Sequence, residues 1–247
     1  MTQKSGPLRN LAFAAAGLVL MGAGGVAGWY WESRSKAPVN DRAEVEKVVR
    51  NYILDHPEIL PEAMERLRGR EMKKQLASVG GDVESPYPGA VLGNPRGKVT
   101  LVEFMDFACT YCRRSVQDVD AVIAANPDLR VVVRELPILT PASADAARWA
   151  LAAAEQGRYA AFHKAMWLAG RPDAATIEAA AKGAGMDLER ARRAIAEPRI
   201  TREIANNLQI ARQLGFEGTP SWVIGDRLMS GAVGESELTA AVVAARG

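Results

Sequence analysis

The fold is decided by the stretch Val99-Thr-Leu-Val-Glu-Phe-Met-Asp-Phe-Ala-Cys109-Thr-Tyr-Cys112. Val99–Met105 is an apolar run, interrupted by one threonine and one glutamate, about as long as a strand that is covered on both faces. After the second cysteine, apolar residues recur at helical spacing, at Val116, Val119, Val122 and Ile123. Cys109 is therefore predicted to lie where a buried strand ends and a helix begins.

Two cysteines at this position have a chemical use. The first backbone N–H groups of a helix have no partner within the helix, and the helix dipole adds partial positive charge there. A thiolate at Cys109 is therefore stabilised and becomes a nucleophile. Cys112 lies one helical turn further on and can attack a mixed disulfide formed by Cys109, which releases the product. The spacing predicts a centre for two-electron thiol–disulfide exchange.

Two other uses of a Cys-x-x-Cys pair fit this chain less well. A structural zinc site needs about four ligands, and the chain has only two cysteines and two histidines, His56 and His163. A structural disulfide across so short a loop would constrain the unfolded chain very little. His163 falls in a helical pattern and is interpreted as a partly exposed helix residue without a catalytic role. Neither a metal nor an organic cofactor is expected.

Length and composition indicate a globular protein with appendages. The 247 residues are enough for one large domain and additional segments, and a hydrophobic content of 48% supports a sizeable core. The net charge of +2 is small, and the aromatic residues do not alternate with a basic patch. The sequence therefore does not predict nucleic-acid binding.

Residues 1–40 are expected to lie outside the globular fold. Lys4 and Arg9 precede an uncharged stretch, residues 10–31, which is long enough to span a bilayer as a helix. This pattern favours an uncleaved N-terminal anchor over a signal peptide cleaved after Ala27, although both interpretations stay open. Either one predicts export, either to the periplasmic side of the inner membrane or to the periplasm itself.

Residues 41–82 are predicted to form a helical stalk. Its first helix carries one apolar stripe, made up of Val45, Val48, Val49, Tyr52 and Ile53. Pro57 and Pro61 are expected to interrupt it, and a second, highly charged helix is expected over residues 61–76. The stalk is either an interface between copies of this chain or a solvated connector to the membrane.

Residues 83–247 are predicted to form an α/β domain. A second buried strand over residues 129–136 follows the cysteine helix, and this strand–helix–strand order implies parallel pairing. A short strand over residues 90–92 precedes them. A block of helices over about residues 140–214 follows, interpreted as one insertion packed against the sheet. A hairpin that turns at Gly225-Asp226 and a C-terminal helix over residues 235–245 complete the domain.

These residues together resemble the DsbA branch of the thioredoxin superfamily. The resemblance rests on Val-Glu-Phe-x-Asp-Phe-x-Cys-x-Tyr-Cys, on more than a hundred residues between Cys112 and Pro220, and on Gly-Thr-Pro-x-Trp before a hairpin. It covers about residues 85–245. It implies a thioredoxin-like fold with a helical insertion between the cysteine helix and the strand that follows a cis-proline, preceded here by a helical extension.

The resemblance also implies roles for individual residues. Cys109 would be the nucleophile and Cys112 the resolving thiol. Pro220 would be the cis-proline that faces them, which leaves the backbone of Thr219 free to pair with a substrate strand. Glu103 would be the buried acid of the family, with a pKa raised by desolvation, and would relay a proton to or from Cys112.

The dipeptide between the cysteines departs from the DsbA oxidase. Thr110 and Tyr111, which are expected to help bind the substrate, stand where that oxidase has Pro-His, and its histidine stabilises the thiolate. Without it, a less oxidising couple is expected. Tyr111 and Thr219 are similar to residues of isomerase-type members, and the charged stalk is similar to the N-terminal regions of ScsC-like proteins. Arg113 and Arg114 either favour the thiolate or form a solvated helix face.

The resemblance implies an exported thiol–disulfide oxidoreductase that acts on thiols or disulfides of other exported proteins. A redox partner in the membrane is expected to recharge it, and the direction stays open between oxidase, isomerase and reductase. The first alternative is a copper(I)-binding thiol protein for metal tolerance, because soft thiolates suit that ion. A purely structural role at the envelope ranks last because it leaves the acid, the cysteines and the proline unexplained.

Overall fold

The computed structural model describes residues 42–246 of the chain. The described residues fall into two compact units, residues 42–64 and residues 65–246. None of the described helices is both long and apolar enough to cross a membrane. The anchor predicted within residues 1–40 and the cleavage point at Ala27 lie outside the described residues.

The stalk begins with helix α1, Arg42–Asp55, followed by helix α2, Ile59–Val79. No residue of α1 is buried. The expected interruption at Pro61 is wrong, because α2 begins two residues earlier. Pro61 lies in the first helical turn, where a missing N–H removes no hydrogen bond from the helix. A short 3₁₀ helix, Gly80–Glu84, follows α2.

The remaining elements form a five-stranded sheet and seven further helices within the described residues. The strands are β1 Val91–Gly93, β2 Val99–Met105, β3 Leu129–Glu135, β4 Ser221–Ile224 and β5 Arg227–Ser230. The helices are α3 Thr110–Ala125, α4 Pro141–Ala154, α5 Tyr159–Ala169, α6 Ala174–Gly183, α7 Leu188–Ile195, α8 Pro198–Gln213 and α9 Glu235–Ala244.

The sheet has the strand order β1-β3-β2-β4-β5, with β2 at its centre. β2 and β3 are parallel and pair Leu101 with Val131, as the strand–helix–strand order predicted. The other neighbours are antiparallel, and β4 pairs with β5 through the predicted hairpin at Gly225. The carboxyl ends of β2 and β3 and the start of β4 therefore meet at one edge of the sheet.

The two faces of the sheet carry separate cores. Leu101 and Val131 point to one face, which is covered by α3, α4–α7 and α9. Val102 and Val132 point to the other face, which is covered by the end of α8, the end of α2 and the 3₁₀ helix. The helical insertion is therefore divided between both faces, because α8 begins in the first core and ends in the second.

Arg134 fastens the segment after the stalk to the second face of the sheet. Its buried guanidinium donates to the backbone carbonyls of Asp82, Val83 and Ser85, and to the side-chain oxygen of Asn207 on α8. A buried guanidinium needs such partners to offset its lost hydration. The position of residues 82–85 is thus fixed by the strand that runs beside β2.

Candidate active site

Cys109 lies at the start of α3, where its backbone is still extended, with φ −79° and ψ 121°. Its Sγ atom accepts a hydrogen bond of 3.4 Å from the backbone N–H of Cys112, one of the unpaired N–H groups of the first turn. Both cysteines are free thiols. Cys109 is 6% exposed and Cys112 is fully buried, so the first thiol is the more accessible one.

The loop before β4 completes the site from the other end of the chain. The Thr219–Pro220 peptide bond is cis. The thiol of Cys109 donates a hydrogen bond of 3.1 Å to the backbone oxygen of Thr219. The hydroxyl of Thr219 is buried beside the thiol of Cys112 and opposes the rise in the pKa of that thiol. Cys109, Thr219 and Pro220 are therefore brought together although more than a hundred residues separate them in the sequence.

Glu103 lies on β2, on the same face as Leu101 and Met105 and therefore on the side that α3 covers. Burial raises the pKa of its carboxyl from 4.5 to about 8, and the charge of Asp120 on α3 contributes to the rise. A carboxyl group with such a pKa holds or releases its proton near neutral pH.

Cys112 is shielded by the same core. Burial raises the pKa of its thiol well above the ordinary value, and the nearby Glu103 carboxyl raises it further. Because the thiol of Cys112 stays protonated at neutral pH, it needs a proton acceptor before it can act as a nucleophile. The site thus contains an accessible sulfur at a helix N-terminus and a buried one beside a titratable acid.

The two residues between the cysteines lie at the surface. Thr110 begins α3 and is exposed, and Tyr111 is 58% exposed. The guanidinium of Arg114 lies 5.8 Å from the centre of the Tyr111 ring. Tyr111 therefore presents an aromatic surface next to the cysteines, but neither residue contacts the Cys109 sulfur through a recorded hydrogen bond.

The guanidinium of Arg113 is bound at the C-terminal end of α5. It donates to the backbone oxygens of Trp167 and Gly170, the latter at 2.5 Å, and lies 5.3 Å from the centre of the Trp167 ring. A cation at the C-terminal end of a helix is favourable because the last carbonyls there lack partners. Arg113 therefore joins the cysteine helix to the end of α5.

The expectation that His163 is partly exposed is wrong. It is buried against Phe107, with ring centres 5.9 Å apart, and its Nε2 accepts a hydrogen bond of 2.9 Å from the indole N–H of Trp167. Burial lowers its pKa to about 4, so the ring is neutral at physiological pH. Trp167 lies one helical turn after His163, and Phe107 belongs to the loop before Cys109. The helical pattern of the sequence alone did not show these contacts.

Two further acids are buried near the cysteines and were missed in the sequence. Asp106 ends the apolar run directly after β2, and Glu135 ends β3. Burial raises the pKa of Glu135 well above its ordinary value, and Tyr159 donates a hydrogen bond of 2.7 Å to its carboxyl. The sequence indicated these two residues only by placing an acidic residue at the end of each apolar strand. Within residues 42–246, no three His, Cys, Asp or Glu side chains are grouped so that they could hold a metal.

The comparisons with known proteins agree with this geometry. Residues 100–243, more than half of the chain, match the family described as the DSBA-like thioredoxin domain. The chain belongs to this family. It has a thioredoxin-like fold, and the predicted resemblance is confirmed. Residues 41–74 match a second description, the N-terminal domain of the copper resistance protein ScsC.

Solved structures are similar to two thirds of the chain or more. A thioredoxin-like oxidoreductase from Silicibacter pomeroyi DSS-3 is 42% identical, with a TM-score of 0.64 over 67% of this chain and 96% of that one. The thiol-disulfide exchange protein alpha-DsbA2 from Wolbachia pipientis is 27% identical, with a TM-score of 0.66 over 72% of this chain and 97% of that one.

The curated relatives are longer proteins. The Na(+)/H(+) antiporter NhaA 3 of Salinispora tropica is 32% identical over 159 residues, which is 63% of this chain. The match covers 24% of that protein. The chain thus spans about a quarter of the length of the curated relatives that it matches.

The raised pKa of Glu103 predicts a pH-dependent stability that Glu103→Gln removes. The folded protein keeps the proton up to about pH 8, whereas the unfolded chain releases it near pH 4.5. The free energy of unfolding therefore falls as pH rises through this window, by up to about 1.4 kcal/mol per pH unit from this group. Urea unfolding of both reduced proteins between pH 5 and pH 8.5 measures the difference.

In this experiment Glu135 is present in both proteins, and because the Glu103 charge is the smallest contribution to its raised pKa, most of the Glu135 effect cancels in the comparison. The matched control is Glu189→Gln, because the Glu189 side chain is 72% exposed. It should follow the wild type at every pH. Parallel curves for the wild type and Glu103→Gln would show that Glu103 does not titrate in this window.

Proposed function

We propose that Cys109 and Cys112 exchange disulfides with thiols or disulfides of exported proteins, with Cys109 as the nucleophile. The observation that carries the proposal is the position of the Cys109 sulfur, which lies at the N-terminus of α3 and 3.1 Å from the backbone oxygen of Thr219. The helix end favours the thiolate, and the cis peptide bond supplies a backbone edge beside it.

The exchange proceeds in two steps. The Cys109 thiolate attacks one sulfur of a substrate disulfide, and the other substrate sulfur leaves as a thiolate. Cys112 then loses its proton and attacks the Cys109 sulfur, which closes the internal disulfide and releases the second substrate thiolate. The substrate is reduced and the cysteine pair is oxidised. The reverse sequence oxidises a substrate dithiol.

Glu103 serves the second step by accepting the Cys112 proton. The buried thiol cannot ionise unaided at neutral pH, and a carboxyl with a pKa of about 8 is matched to the task. In the reverse direction, the protonated carboxyl returns the proton when Cys112 leaves. Glu103 thus changes its protonation state once in each exchange.

Thr219 and Pro220 provide the substrate-binding edge. In the reduced protein the Thr219 carbonyl is occupied by the Cys109 thiol. When that proton leaves, the carbonyl becomes available to the backbone of an extended substrate. A cavity of about 270 Å³, lined by Gly215, Glu217, Thr219, Pro220, Ser230 and neighbouring residues, lies beside this edge and accommodates a substrate side chain. Thr110 and Tyr111, which are exposed between the two cysteines, would also contact the substrate.

We further propose that the protein works in the periplasm, held at the inner membrane through residues 1–40 or released after cleavage, and is recharged by a membrane redox partner. Residues 41–82 would form the stalk and residues 83–247 the catalytic domain. Support comes from the export pattern of the sequence and from the match of residues 41–74 to the ScsC N-terminal domain.

Copper(I) handling is a second candidate, favoured by the copper-resistance description of the matched stalk. The stalk itself supplies no thiolate, because both cysteines lie outside residues 41–74. Copper would have to bind the cysteine pair, of which Cys112 is buried and holds its proton strongly. Disulfide exchange needs only one sulfur deprotonated at a time and is therefore the better-supported function.

The two cysteines should behave differently when each is replaced by serine. Cys109→Ser removes the attacking sulfur and should leave insulin reduction at the uncatalysed rate. Cys112→Ser should accumulate a mixed disulfide between Cys109 and a substrate peptide, because the resolving step is lost. Mass spectrometry of non-reduced samples detects this adduct. Turnover by Cys109→Ser at the wild-type rate would refute the proposal.

The redox couple should be less oxidising than that of the DsbA oxidase. That couple is strongly oxidising because its reduced form is stabilised, at about −120 mV. Here the Cys109 sulfur accepts one long hydrogen bond from the N–H of Cys112 and donates one to the Thr219 carbonyl. The guanidinium of Arg113 is bound at the end of α5. Equilibration with a glutathione series should place the couple below about −120 mV, and Thr110→Pro/Tyr111→His should move it upward. An equally oxidising wild type would contradict this.

The apolar stripe of α1 should join copies of this chain. Val45, Val48, Val49 and Tyr52 are 40%, 64%, 50% and 57% exposed and share one helix face. Val48→Glu/Tyr52→Glu should therefore convert an oligomer to monomers in light scattering of the full chain. Lys47→Glu changes the charge of the same helix and should leave the oligomer intact. A wild type that is monomeric at high concentration would exclude this interface.

A further inference from the structure

Asp106 is buried between two loops at the carboxyl edge of the sheet, and its side chain holds both. Oδ1 accepts a hydrogen bond of 2.8 Å from the backbone N–H of Ala108, in the loop that leads to Cys109. Oδ2 accepts bonds of 2.9 Å and 3.0 Å from the backbone N–H groups of Ile138 and Leu139. The residue is 1% exposed, so water does not compete for these bonds.

The backbone of Asp106 belongs to the same junction. Its carbonyl accepts a bond of 2.9 Å from the N–H of Cys109, and the carbonyl of Met105 accepts one of 2.8 Å from Leu136. The ends of β2 and β3 are thus joined, and the segment that follows each of them is held by one carboxylate. Glu103 and Glu135 are buried close by, but neither has recorded bonds to these loops.

The second loop follows β3 and is joined through Asp106 to the loop that leads to Cys109. Residues 137–139 lie outside helices and strands, and Ile138 and Leu139 are 41% and 51% exposed although both are apolar. Backbone N–H groups in an exposed loop are ordinarily bonded to water. Here two of them point into the protein, to Asp106, while their side chains point outward.

We propose that Asp106 is a positioning residue that sets the distance between the Cys109 sulfur and the apolar border formed by Ile138 and Leu139. The inference rests on the proposed function, because it assigns the border a role in holding the peptide that carries the substrate disulfide. The carboxylate does not touch the reacting sulfurs. It acts through the two loops, and its effect is therefore on the binding of peptide-borne disulfides.

The chemistry requires a carboxylate in this place. Both of its oxygens accept, and both are used, so the side chain faces donors on two sides. An asparagine has one accepting oxygen and one donating NH₂ group, so Asp106→Asn must turn a donor toward either Ala108 or the Ile138 and Leu139 pair. One of the two loops is then released, although the size of the side chain is unchanged.

Hydrogen exchange tests the contact without reference to activity. In the wild type, the amides of Ile138 and Leu139 should exchange slowly, because they are bonded to a buried group. In Asp106→Asn they should exchange at least about tenfold faster, while amides of β2 and β3 stay protected. Asp145→Asn, an exposed acid on α4, is the matched control and should leave both amides slow. Unprotected wild-type amides would overturn the proposal even if no variant folds.

Steady-state kinetics test the positioning role. With a disulfide-containing peptide, Asp106→Asn should raise KM about tenfold and leave kcat within about threefold. The rate at which iodoacetamide alkylates Cys109 should stay within about threefold of the wild-type rate, because this small reagent does not depend on contacts with Ile138 and Leu139. A loss confined to kcat, or values equal to those of Asp145→Asn, would overturn the proposal. A wild type without disulfide-exchange activity would instead refute the proposed function. The hydrogen-exchange result would then still show whether Asp106 holds the amides of Ile138 and Leu139.

Discussion

The position of β2 at the centre of the sheet is the constraint on which the site depends. β2 is paired on both edges and covered on both faces, so neither its register nor its direction can change without loss of the core. Its parallel partner places Glu135 opposite Met105, and its antiparallel partner places Ser221 opposite Phe104. The chain therefore delivers the cysteines and the cis peptide bond to one edge.

The buried acids of this edge show how one environment gives different chemistry. Glu103 lacks hydrogen-bond donors in the described chain, so burial favours its neutral form. Asp106 is as deeply buried but is surrounded by three backbone N–H groups, which replace water as partners. These two acids, three residues apart, thus differ in their hydrogen-bond partners.

Much of the fold could be predicted because its local patterns are strong. The limits predicted for β2 are those observed, and β3 is one residue shorter than expected. The cysteines stood out by their spacing. The proline before β4 and Glu103 were found through family resemblance, since nothing local marks them as neighbours of Cys109.

The sequence failed where a contact joins distant segments. Two of the three side-chain partners of Asp106 lie more than thirty residues further along the chain, and those of the Arg113 guanidinium lie more than fifty residues further. The burial of His163 depends on Phe107, which arrives from another element. The division of the insertion between two faces follows from the path of α8, which periodicity does not encode.

The lengths of the two outer strands of the sheet, β1 and β5, affect how readily the protein aggregates. β1 has three residues and β5 has four, so few unpaired backbone groups remain along either margin. Such short margins are a poor template for the growth of cross-β aggregates. Another extended chain therefore finds little backbone to pair with at either margin of the folded domain.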